Sequence, residues 1–411
     1  MDREGAREAA DLLDRELDTS GPWGPLHGIP VGIKDIFYTA RLRTTAGYKL
    51  LADFVPGYDA TSVERLKAAG AIILGKTVTV EFASMAGPPP TVNPWNRART
   101  PGGSSSGSAV AVAVADRMCP AGMGSQTGGS LVRPSAYNGI VGLKPTFGRI
   151  SVYGVIPAAW SMDTIGPMVN SVTDAALMLQ ALAGYDPRDA GSADEPVPDY
   201  SRAMDQFDGA PRIGLIRGFF FDRADEEVRK HTEEEEKLAQ SGATVEEVQL
   251  PSSFDTIYQA HQKVTNVEVS SYHEEMFQSR AGDYSPRLRR YIETGFLIPG
   301  TYYVQAQRLR RLHRREMNAL ASQWDALLTP TTPSAAPKDL STTGDPVFQS
   351  PGTSTGLPTI TVPSGLEESS GLPLGIQLAT TTFAEERLLS VARWCERVLD
   401  VHLEPPREVP G

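Results

Sequence analysis

The chain has 411 residues, of which 40% are hydrophobic and 22% charged, and 39 basic residues stand against 50 acidic ones for a net charge of −11. This composition supports a large core and excludes a disordered or fibrous chain. The negative charge disfavours nucleic acid and anionic membranes as partners. No apolar run approaches the roughly 20 residues of a membrane span, and no signal-peptide segment is expected. With Cys119 and Cys395 as the only cysteines, a disulfide framework and a cysteine-rich zinc site are excluded. We therefore expect a cytoplasmic protein.

The first elements alternate between strand and helix. Apolar residues at helical spacing predict a surface helix over 5–17. The segment 29–37 (IPVGIKDIF) is strand-like, 61–69 is typical of a helix, and 71–76 (AIILGK) of a buried strand. This order predicts an α/β sheet that is covered by helices.

Two segments rich in glycine and serine bracket a buried helix. The first is 87–108, which ends in PGGSSSGS, and the second is 122–130 (GMGSQTGGS). Between them, 109–115 (AVAVAVA) is apolar on every side, which predicts a helix inside the core. Two such loops around a buried helix are unusual in a segment with a purely structural role, so we expect the functional site in these loops.

The remaining chain predicts one mixed α/β body with a helical insertion. A polar, proline-rich link at 186–202 precedes a second strand–helix–strand pattern at 213–250. Residues 254–328 are mainly helical, with breaks at 284–286 and 298–300. The last elements are strands at 357–365 and 372–380 and a helix at 384–399.

Lys34 is the first candidate for chemistry, because it follows an apolar strand. Most lysines at such a position extend to solvent or pair with a neighbouring acid, which would be Asp35 here. The alternative is that Lys34 is buried and desolvated. A desolvated lysine has a lowered pKa, and its neutral amine can act as a general base.

The serines of the two loops are the other candidates. Ser104, Ser105, Ser106 and Ser108 form either a polar linker with a helix cap or a backbone segment that approaches a ligand closely. The GSQTGGS loop is either a solvent loop or a site where successive amides converge on an oxyanion, with Ser130 as nucleophile.

Taken together, these features closely resemble the amidase signature family. The matching segments are GPLHGIPVGIKD (24–35), ILGKTVTVEFA (73–83), NPWNRARTPGGSSSGSA (93–109), GSQTGGSLVRPSAYNGIVGLKPTFGRIS (124–151), SMDTIGPM (161–168), YSPRLRRYIETG (284–295), LLTPTTP (327–333), TGLPTITVPSG (355–365) and PLGIQLATTTFAEERLL (373–389). The resemblance implies a single domain over 1–411 with a central mixed β-sheet covered by helices on both faces. Its catalytic core would comprise 24–185 and 355–400, and 254–328 would be a variable region on the substrate side.

The resemblance also implies the catalytic groups. Ser130 would be the nucleophile, Ser104 the serine that follows a cis peptide bond, and Lys34 the general base of a Ser–cis-Ser–Lys triad. The backbone amides of Thr127, Gly128, Gly129 and Ser130 would hold the oxyanion. Neither a metal nor a cofactor is implied.

This sequence departs from the family pattern at three places. Ser104 lies 26 residues before Ser130 where 24 is usual, so Ser106 is a rival for the cis-serine. Gln126 replaces the common aspartate and Arg133 lies one position later than usual, from which we expect altered support of the loop and retained activity. The segment before Lys34 is also shorter than usual.

The expected reaction is hydrolysis of a linear amide, with carbamate (urethane) or ester cleavage as related activities. Alternatives are an allophanate- or biuret-type hydrolase and the glutaminase subunit of a tRNA amidotransferase, although the glutamine-binding residues of the latter are not evident. Met85, Ala86 and Trp160 are candidate substrate contacts. Four aromatic residues of the middle region either line a pocket that suits an aromatic or extended apolar acyl group or belong to the core; these are Tyr272, Phe277, Tyr302 and Tyr303. The expected partner is a small amide or carbamate, and a homodimer is compatible with the sequence.

Overall fold

The computed structural model describes residues 2–84, 87–114, 118–204, 209–233 and 235–408. Ten strands form one sheet in the order β2-β1-β3-β5-β4-β9-β10-β8-β6-β7. The strands are β1 (Pro30–Lys34), β2 (Ile72–Thr77), β3 (Ala121–Gln126), β4 (Val141–Lys144), β5 (Thr164–Val169), β6 (Arg212–Leu215), β7 (Thr244–Glu247), β8 (Ala326–Pro330), β9 (Thr359–Leu366) and β10 (Pro373–Ala379).

Parallel strand pairs at both ends of the sheet flank a centre of antiparallel strands. At one end β1 pairs with β2 and β3 in parallel, and at the other end β6 pairs with β7 and β8 in parallel. The strands between them pair in antiparallel fashion. The predicted mixed sheet is therefore confirmed.

Fourteen helices are present in the described part of the chain. They are α1 (Arg3–Ser20), α2 (Thr61–Ala68), α3 (Ser106–Ala113), α4 (Val132–Tyr137), α5 (Val172–Leu182), α6 (Tyr200–Ala203), α7 (Gly218–Phe221), α8 (Glu226–Glu233), α9 (Glu235–Gln240), α10 (Ile257–Arg280), α11 (Pro286–Phe296), α12 (Gly300–Ala321), α13 (Ser350–Thr355) and α14 (Glu385–Leu399). None of these described helices combines the length and the apolar character that a membrane span requires.

The helices cover both faces of the sheet, as the alternation of side chains along β5 shows. Met168 packs with Ala109 of α3 and Leu131 before α4. Ile165 and Val169 instead belong to the main core, together with residues of α5 and α14. Because successive strand residues point to opposite faces, the two clusters are separate layers.

Local signals explain where the helices of the middle region begin. Ser285 caps α11 by accepting a hydrogen bond from the Leu288 amide, and Pro286 occupies the first turn. Pro299 directly precedes α12. The breaks predicted at 284–286 and 298–300 are thus confirmed, and α10 packs against both α11 and α12.

The topology brings the two functional loops together. Since β1 and β3 are parallel neighbours with Ile33 opposite Met123, their carboxyl ends meet at one edge of the sheet. Helix α3 packs on both strands, so its amino-terminal end lies beside that edge. Lys34 at the end of β1 therefore meets Ser104, Ser105 and Ser125.

Substitution of Gly107 tests how tightly α3 is seated. A Cβ atom on Gly107 would lie 2.5 Å from the Val78 amide nitrogen and 2.6 Å from its carbonyl oxygen. We expect Gly107→Ala to lower the free energy of unfolding by about 1–3 kcal/mol in denaturant titrations, because backbone atoms must shift.

Gly282→Ala is the matched control. A Cβ atom on Gly282 would meet no heavy atom within 4 Å, so its substitution should change the free energy of unfolding by less than about 0.5 kcal/mol. Equal effects of the two substitutions would contradict the tight seating of α3.

Candidate active site

Lys34 is completely buried and is surrounded by hydroxyl groups. Its Nζ atom lies 2.7 Å from Ser104 Oγ, 3.0 Å from Ser105 Oγ and 2.8 Å from Ser125 Oγ. It has no ion pair with a described residue. Burial lowers the pKa of Lys34 well below its ordinary value, whereas the charge of Asp163 acts in the opposite direction. The solvent-exposed alternative for Lys34 is therefore wrong.

The structure distinguishes Ser104 from Ser106. The Gly103–Ser104 peptide bond is cis, and Ser104 Oγ is within hydrogen-bond distance of the Lys34 amine. Ser106 is the first residue of α3, and its hydroxyl has no partner among the described residues. The geometry therefore places Ser104, and not Ser106, beside the lysine.

Ser105 also contacts the lysine, a role that the sequence did not predict. Its hydroxyl donates to the Ser125 carbonyl oxygen at 3.2 Å and accepts from the Ser125 amide at 3.2 Å. Because that hydroxyl hydrogen is engaged, Ser105 Oγ accepts a hydrogen bond from Lys34. The Ser104–Ser105 segment is thereby joined to β3.

The loop after β3 carries Ser130 and four free amides. The carbonyl oxygen of Ser130 accepts a hydrogen bond from the Ser105 amide at 3.1 Å. No described acceptor engages the backbone N–H groups of 127, 128, 129 and 130. Such free amides beside a serine can stabilise a developing oxyanion.

Asp163 holds one side of this loop. Its carboxylate accepts a hydrogen bond from Thr127 Oγ1 and others from the amides of Ala158 and Ala159 at 2.8 and 3.0 Å. Burial raises the pKa of Asp163. The Asp163 carboxylate therefore connects the loop at Thr127 to the segment 158–159, and its charge raises the pKa of Lys34.

A cavity of about 190 Å³ opens over both serines, since Ser104 and residues 127–130 line it. Helix α10 supplies one wall: Tyr258, His261, Gln262, Thr265, Asn266 and Val269. Their spacing of three and four residues places them on one face of the helix. The rest of the described lining consists of Ala83, Ser84, Arg133, Ala158, Tyr291, Thr343, Pro346 and Ser350. Among the described residues, no cluster of histidine, cysteine and carboxylate groups could hold a metal ion.

Comparison with known proteins agrees with this geometry. The family model described as Amidase matches residues 1–389. The chain belongs to the amidase signature family. It is 40% identical to a glutamyl-tRNA(Gln) amidotransferase subunit from Roseiflexus castenholzii, over 99% of this chain and 89% of that protein.

Solved structures of this family have the same fold. The native peptide amidase of Stenotrophomonas maltophilia is 33% identical, with a TM-score of 0.84 over 99% of this chain and 90% of that one. A protein from a vestigial complex related to an s-triazine catabolic enzyme is 31% identical, with a TM-score of 0.89 over 98% and 90%. The amidase signature fold predicted from the sequence is confirmed.

Among the candidate substrate contacts, Trp160 lies away from the cavity lining. Its side chain is 46% exposed and packs edge-on against Tyr272, with ring centroids 6.5 Å apart. Met85 and Ala86 lie outside the described residues, although the adjacent Ala83 and Ser84 line the cavity.

The aromatic residues expected to favour an apolar acyl group do not line the cavity. Tyr272 and Phe277 pack against the main core, the Tyr303 hydroxyl donates to Glu268, and Tyr302 is exposed. The pocket-wall alternative for these four residues is therefore wrong, and the core alternative is confirmed for Tyr272 and Phe277. Helical spacing alone does not tell which face of α10 or α12 is turned to the active site.

Gln126 explains how this chain supports its loop without the common aspartate. Its Oε1 atom accepts from the amides of Leu131 and Val132 at 3.1 and 3.0 Å, and its Nε2 donates to Thr353 Oγ1 at 3.0 Å. Thr353 in turn donates to the Gly128 carbonyl oxygen at 2.9 Å. The expected change in loop support thus consists of a glutamine that bridges α4 and α13.

Several of these groups were missed at the level of the sequence. Ser125 and Asp163 both stand in segments that match the family, at 124–151 and 161–168. For Ser125 the available signal was a polar residue within the glycine-rich strand β3, whereas Asp163 directly precedes β5 and carried no signal besides the family match.

Replacement of Gln126 by methionine tests the support of the loop. Methionine has a similar size but leaves the Leu131 and Val132 amides without their acceptor, and each unsatisfied buried group costs about 1–3 kcal/mol. We expect Gln126→Met to lower the free energy of unfolding by about 2–4 kcal/mol. Gln323→Met, at an exposed position at the end of α12, serves as control and should be nearly neutral. A neutral Gln126→Met variant would show that the bridge does not support the loop.

Proposed function

We propose that this chain hydrolyses a linear amide C–N bond through an acyl-enzyme on Ser130. The observation that carries this proposal is the 2.7 Å contact between the buried Lys34 amine and Ser104 Oγ, beside a cavity lined by Ser130. The four free amides of residues 127–130 support the same chemistry. Membership of the amidase signature family is consistent with it.

In the proposed mechanism, Ser130 Oγ attacks the amide carbonyl carbon. Its proton passes to Ser104 Oγ, while the Ser104 proton passes to Lys34 Nζ. The amides of residues 127–130 bind the oxyanion. When the tetrahedral intermediate collapses, the C–N bond breaks and the proton returns through Ser104 to the leaving amine. Water then attacks the acyl carbon while its proton passes through Ser104 to Lys34. The bond from the acyl carbon to Ser130 Oγ breaks, the proton returns to Ser130 Oγ, and the acid is released.

The hydrogen bonds around Lys34 fit an amine that starts this sequence without a proton. A neutral amine has two N–H donors and one lone pair. Ser105 Oγ takes one donor, because its own hydrogen is directed to the Ser125 carbonyl oxygen. The lone pair can then accept the hydrogen of Ser104, which is the arrangement a general base needs.

A second candidate is the glutaminase subunit of a tRNA amidotransferase. The observation that favours it is the 40% identity to the Roseiflexus castenholzii protein, which exceeds the 31–33% identity to the two solved structures named above. Both candidates cleave an amide, so they differ in the substrate and in the need for partner subunits. Allophanate, biuret and carbamates remain further candidate substrates for the same serine nucleophile.

A substrate panel separates these candidates. We expect the purified chain alone to release product from at least one simple amide, among an anilide, an aryl amide, an aryl carbamate, allophanate and glutamine. Ser130→Ala should lower kcat by about 10³-fold or more, because the acyl-enzyme can no longer form. Turnover of glutamine alone, and only after addition of amidotransferase partner subunits, would favour the second candidate. Undiminished turnover by Ser130→Ala would refute the acyl-enzyme.

The pH profile tests the role of Lys34. Below its pKa the lysine is protonated and cannot accept a proton, so kcat/KM should rise with pH. Because burial lowers this pKa, the rise should level off well below the ordinary lysine value of about 10.4. Asp163→Asn removes a charge that raises the Lys34 pKa, so the rising limb should move to lower pH.

Asp174→Asn is the control, since Asp174 is exposed at the start of α5. It should leave the profile in place. A profile that falls steadily above neutral pH, or a limb that moves to higher pH in Asp163→Asn, would contradict the assignment of Lys34 as base.

A further inference from the structure

A second cavity borders α13, the short helix that also contributes to the active-site cavity. Ser350 at the start of α13 lines the active-site cavity, whereas Ser354 and Thr355 at its end line the second one. The second cavity has a volume of about 200 Å³, and the rest of its described lining consists of Phe147, Ser161, Gln307, Arg310, Arg311, Arg314 and Gly356. Because the two described linings share no residue, the second cavity is separate from the proposed catalytic groups.

Three arginine side chains of α12 reach the second cavity from one face of the helix. Arg310, Arg311 and Arg314 follow Gln307 at intervals that place all four residues on the same side. No aspartate or glutamate is among the described residues of the lining. Like charges at a spacing of three or four residues repel each other. In a chain with a net charge of −11, this local concentration of positive charge calls for an explanation.

Arg310 is held in place by the protein. Its Nε atom donates to the Ser354 carbonyl oxygen at 3.1 Å, and its Nη1 and Nη2 atoms donate to Ser161 Oγ at 2.9 Å and to the Ser161 carbonyl oxygen at 3.0 Å. Glu268 acts on Arg310 electrostatically, but its carboxylate oxygens already accept hydrogen bonds from Ser161 and Gln307. The fixed guanidinium of Arg310 therefore gives the floor of the cavity a defined positive charge.

Three other donor groups at the second cavity lack a partner. The guanidinium groups of Arg311 and Arg314 make no hydrogen bond or ion pair with a described residue. Arg314 Cζ lies 3.9 Å from the position that a Cβ atom on Gly356 would occupy, so this side chain is turned towards the end of α13. Ser354 is only 2% exposed, and no described group bonds to its Oγ atom. Two guanidinium groups and a buried hydroxyl together require an acceptor with several oxygen atoms.

We propose that the second cavity binds a phosphate group, either as the free ion or on a small phosphomonoester. Guanidinium groups match phosphate oxygens in pairs, and the negative charge strengthens each hydrogen bond. A tetrahedral anion presents oxygens in several directions, so it can accept from Arg311, Arg314 and Ser354 at the same time. Its charge also removes the repulsion among the three arginines. This site goes beyond the proposed amide hydrolysis and does not depend on it.

Titration calorimetry with inorganic phosphate, at an ionic strength kept constant with chloride, tests the site. The wild-type chain and Ser130→Ala should bind phosphate equally, because Ser130 does not line the second cavity. Arg311→Met and Arg314→Met should each weaken binding about 10–100-fold, the range for hydrogen bonds to a charged group. Arg315→Met is the matched control, since Arg315 is an exposed neighbour outside the described lining, and it should keep the wild-type affinity. Phosphate binding that survives both lining variants would lie elsewhere and would overturn the proposal.

Thermal unfolding separates phosphate binding from a structural role of the arginines. Without phosphate, Arg314→Met should unfold at the wild-type temperature or slightly above it, because it removes a repulsion and no described contact. Phosphate should raise the unfolding temperature of the wild-type chain and of Arg315→Met more than that of Arg314→Met. If Arg314→Met instead unfolds at a lower temperature in phosphate-free buffer, and phosphate stabilises all three chains equally, Arg314 has a structural role and the proposal fails.

Ser354→Ala tests the buried hydroxyl. It should leave the unfolding temperature in phosphate-free buffer unchanged, because the Ser354 hydroxyl has no described partner to lose. It should weaken phosphate binding about 10-fold, since a hydrogen bond to a charged group is lost. Unchanged phosphate affinity in this variant would contradict the arrangement proposed for the anion.

A comparison of probes identifies the source of the phosphate group. Tighter binding of glycerol phosphate or phenyl phosphate than of inorganic phosphate would support a phosphomonoester, and the reverse order would support the free ion. A chain that binds a single-stranded oligonucleotide but no inorganic phosphate, with equal losses in Arg314→Met and Arg315→Met, would show general attraction of polyanions to α12 and would overturn the site. Failure of amide hydrolysis would leave the phosphate site standing, and failure of phosphate binding would leave the proposed hydrolysis standing.

Discussion

The burial of the Lys34 amine is the constraint on which the site depends. An amine without solvent needs hydrogen-bond partners that do not fix its charge, and three serine hydroxyls lie within hydrogen-bond distance of it here. A carboxylate in their place would hold the proton on the lysine and remove the base. The charge of Asp163 acts on the pKa of Lys34 through space. The carboxylate oxygens of Asp163 instead accept hydrogen bonds from Thr127 Oγ1 and from two backbone amides.

This constraint explains the backbone around the lysine. Three hydroxyls can reach one nitrogen only if the ends of β1, β3 and α3 approach closely, and small residues allow that approach. Gly107 lets α3 contact the backbone at Val78, and Gly122 lets Ser108 lie against β3. The glycine and serine content of these loops is thus a packing requirement of the buried base, in addition to any contact with substrate.

Much of the fold could be predicted from local pattern, because apolar periodicity and proline breaks are local signals. Thus α2, β9, β10 and α14 lie close to their predicted bounds, and α11 and α12 begin where prolines end the preceding segment. Lys34, Ser104 and Ser130 followed from motifs that match a family. The roles of Ser105, Ser125 and Asp163 could not be predicted, because they arise where segments distant in sequence meet. The same limitation applies to the four aromatic residues that do not line the cavity, since helical spacing does not reveal which face of α10 meets the cavity.

The structure also separates the part of the site that would perform the chemistry from the part that would select the substrate. Lys34, Ser104 and Ser130 are held by the sheet edge and α3, whereas one wall of the cavity belongs to α10. Arg133 connects the two parts, since it binds the carbonyl oxygen before Ser104 and also faces the cavity. Because one side chain serves both parts, a change in the cavity wall at Arg133 would also disturb the backbone that holds Ser104.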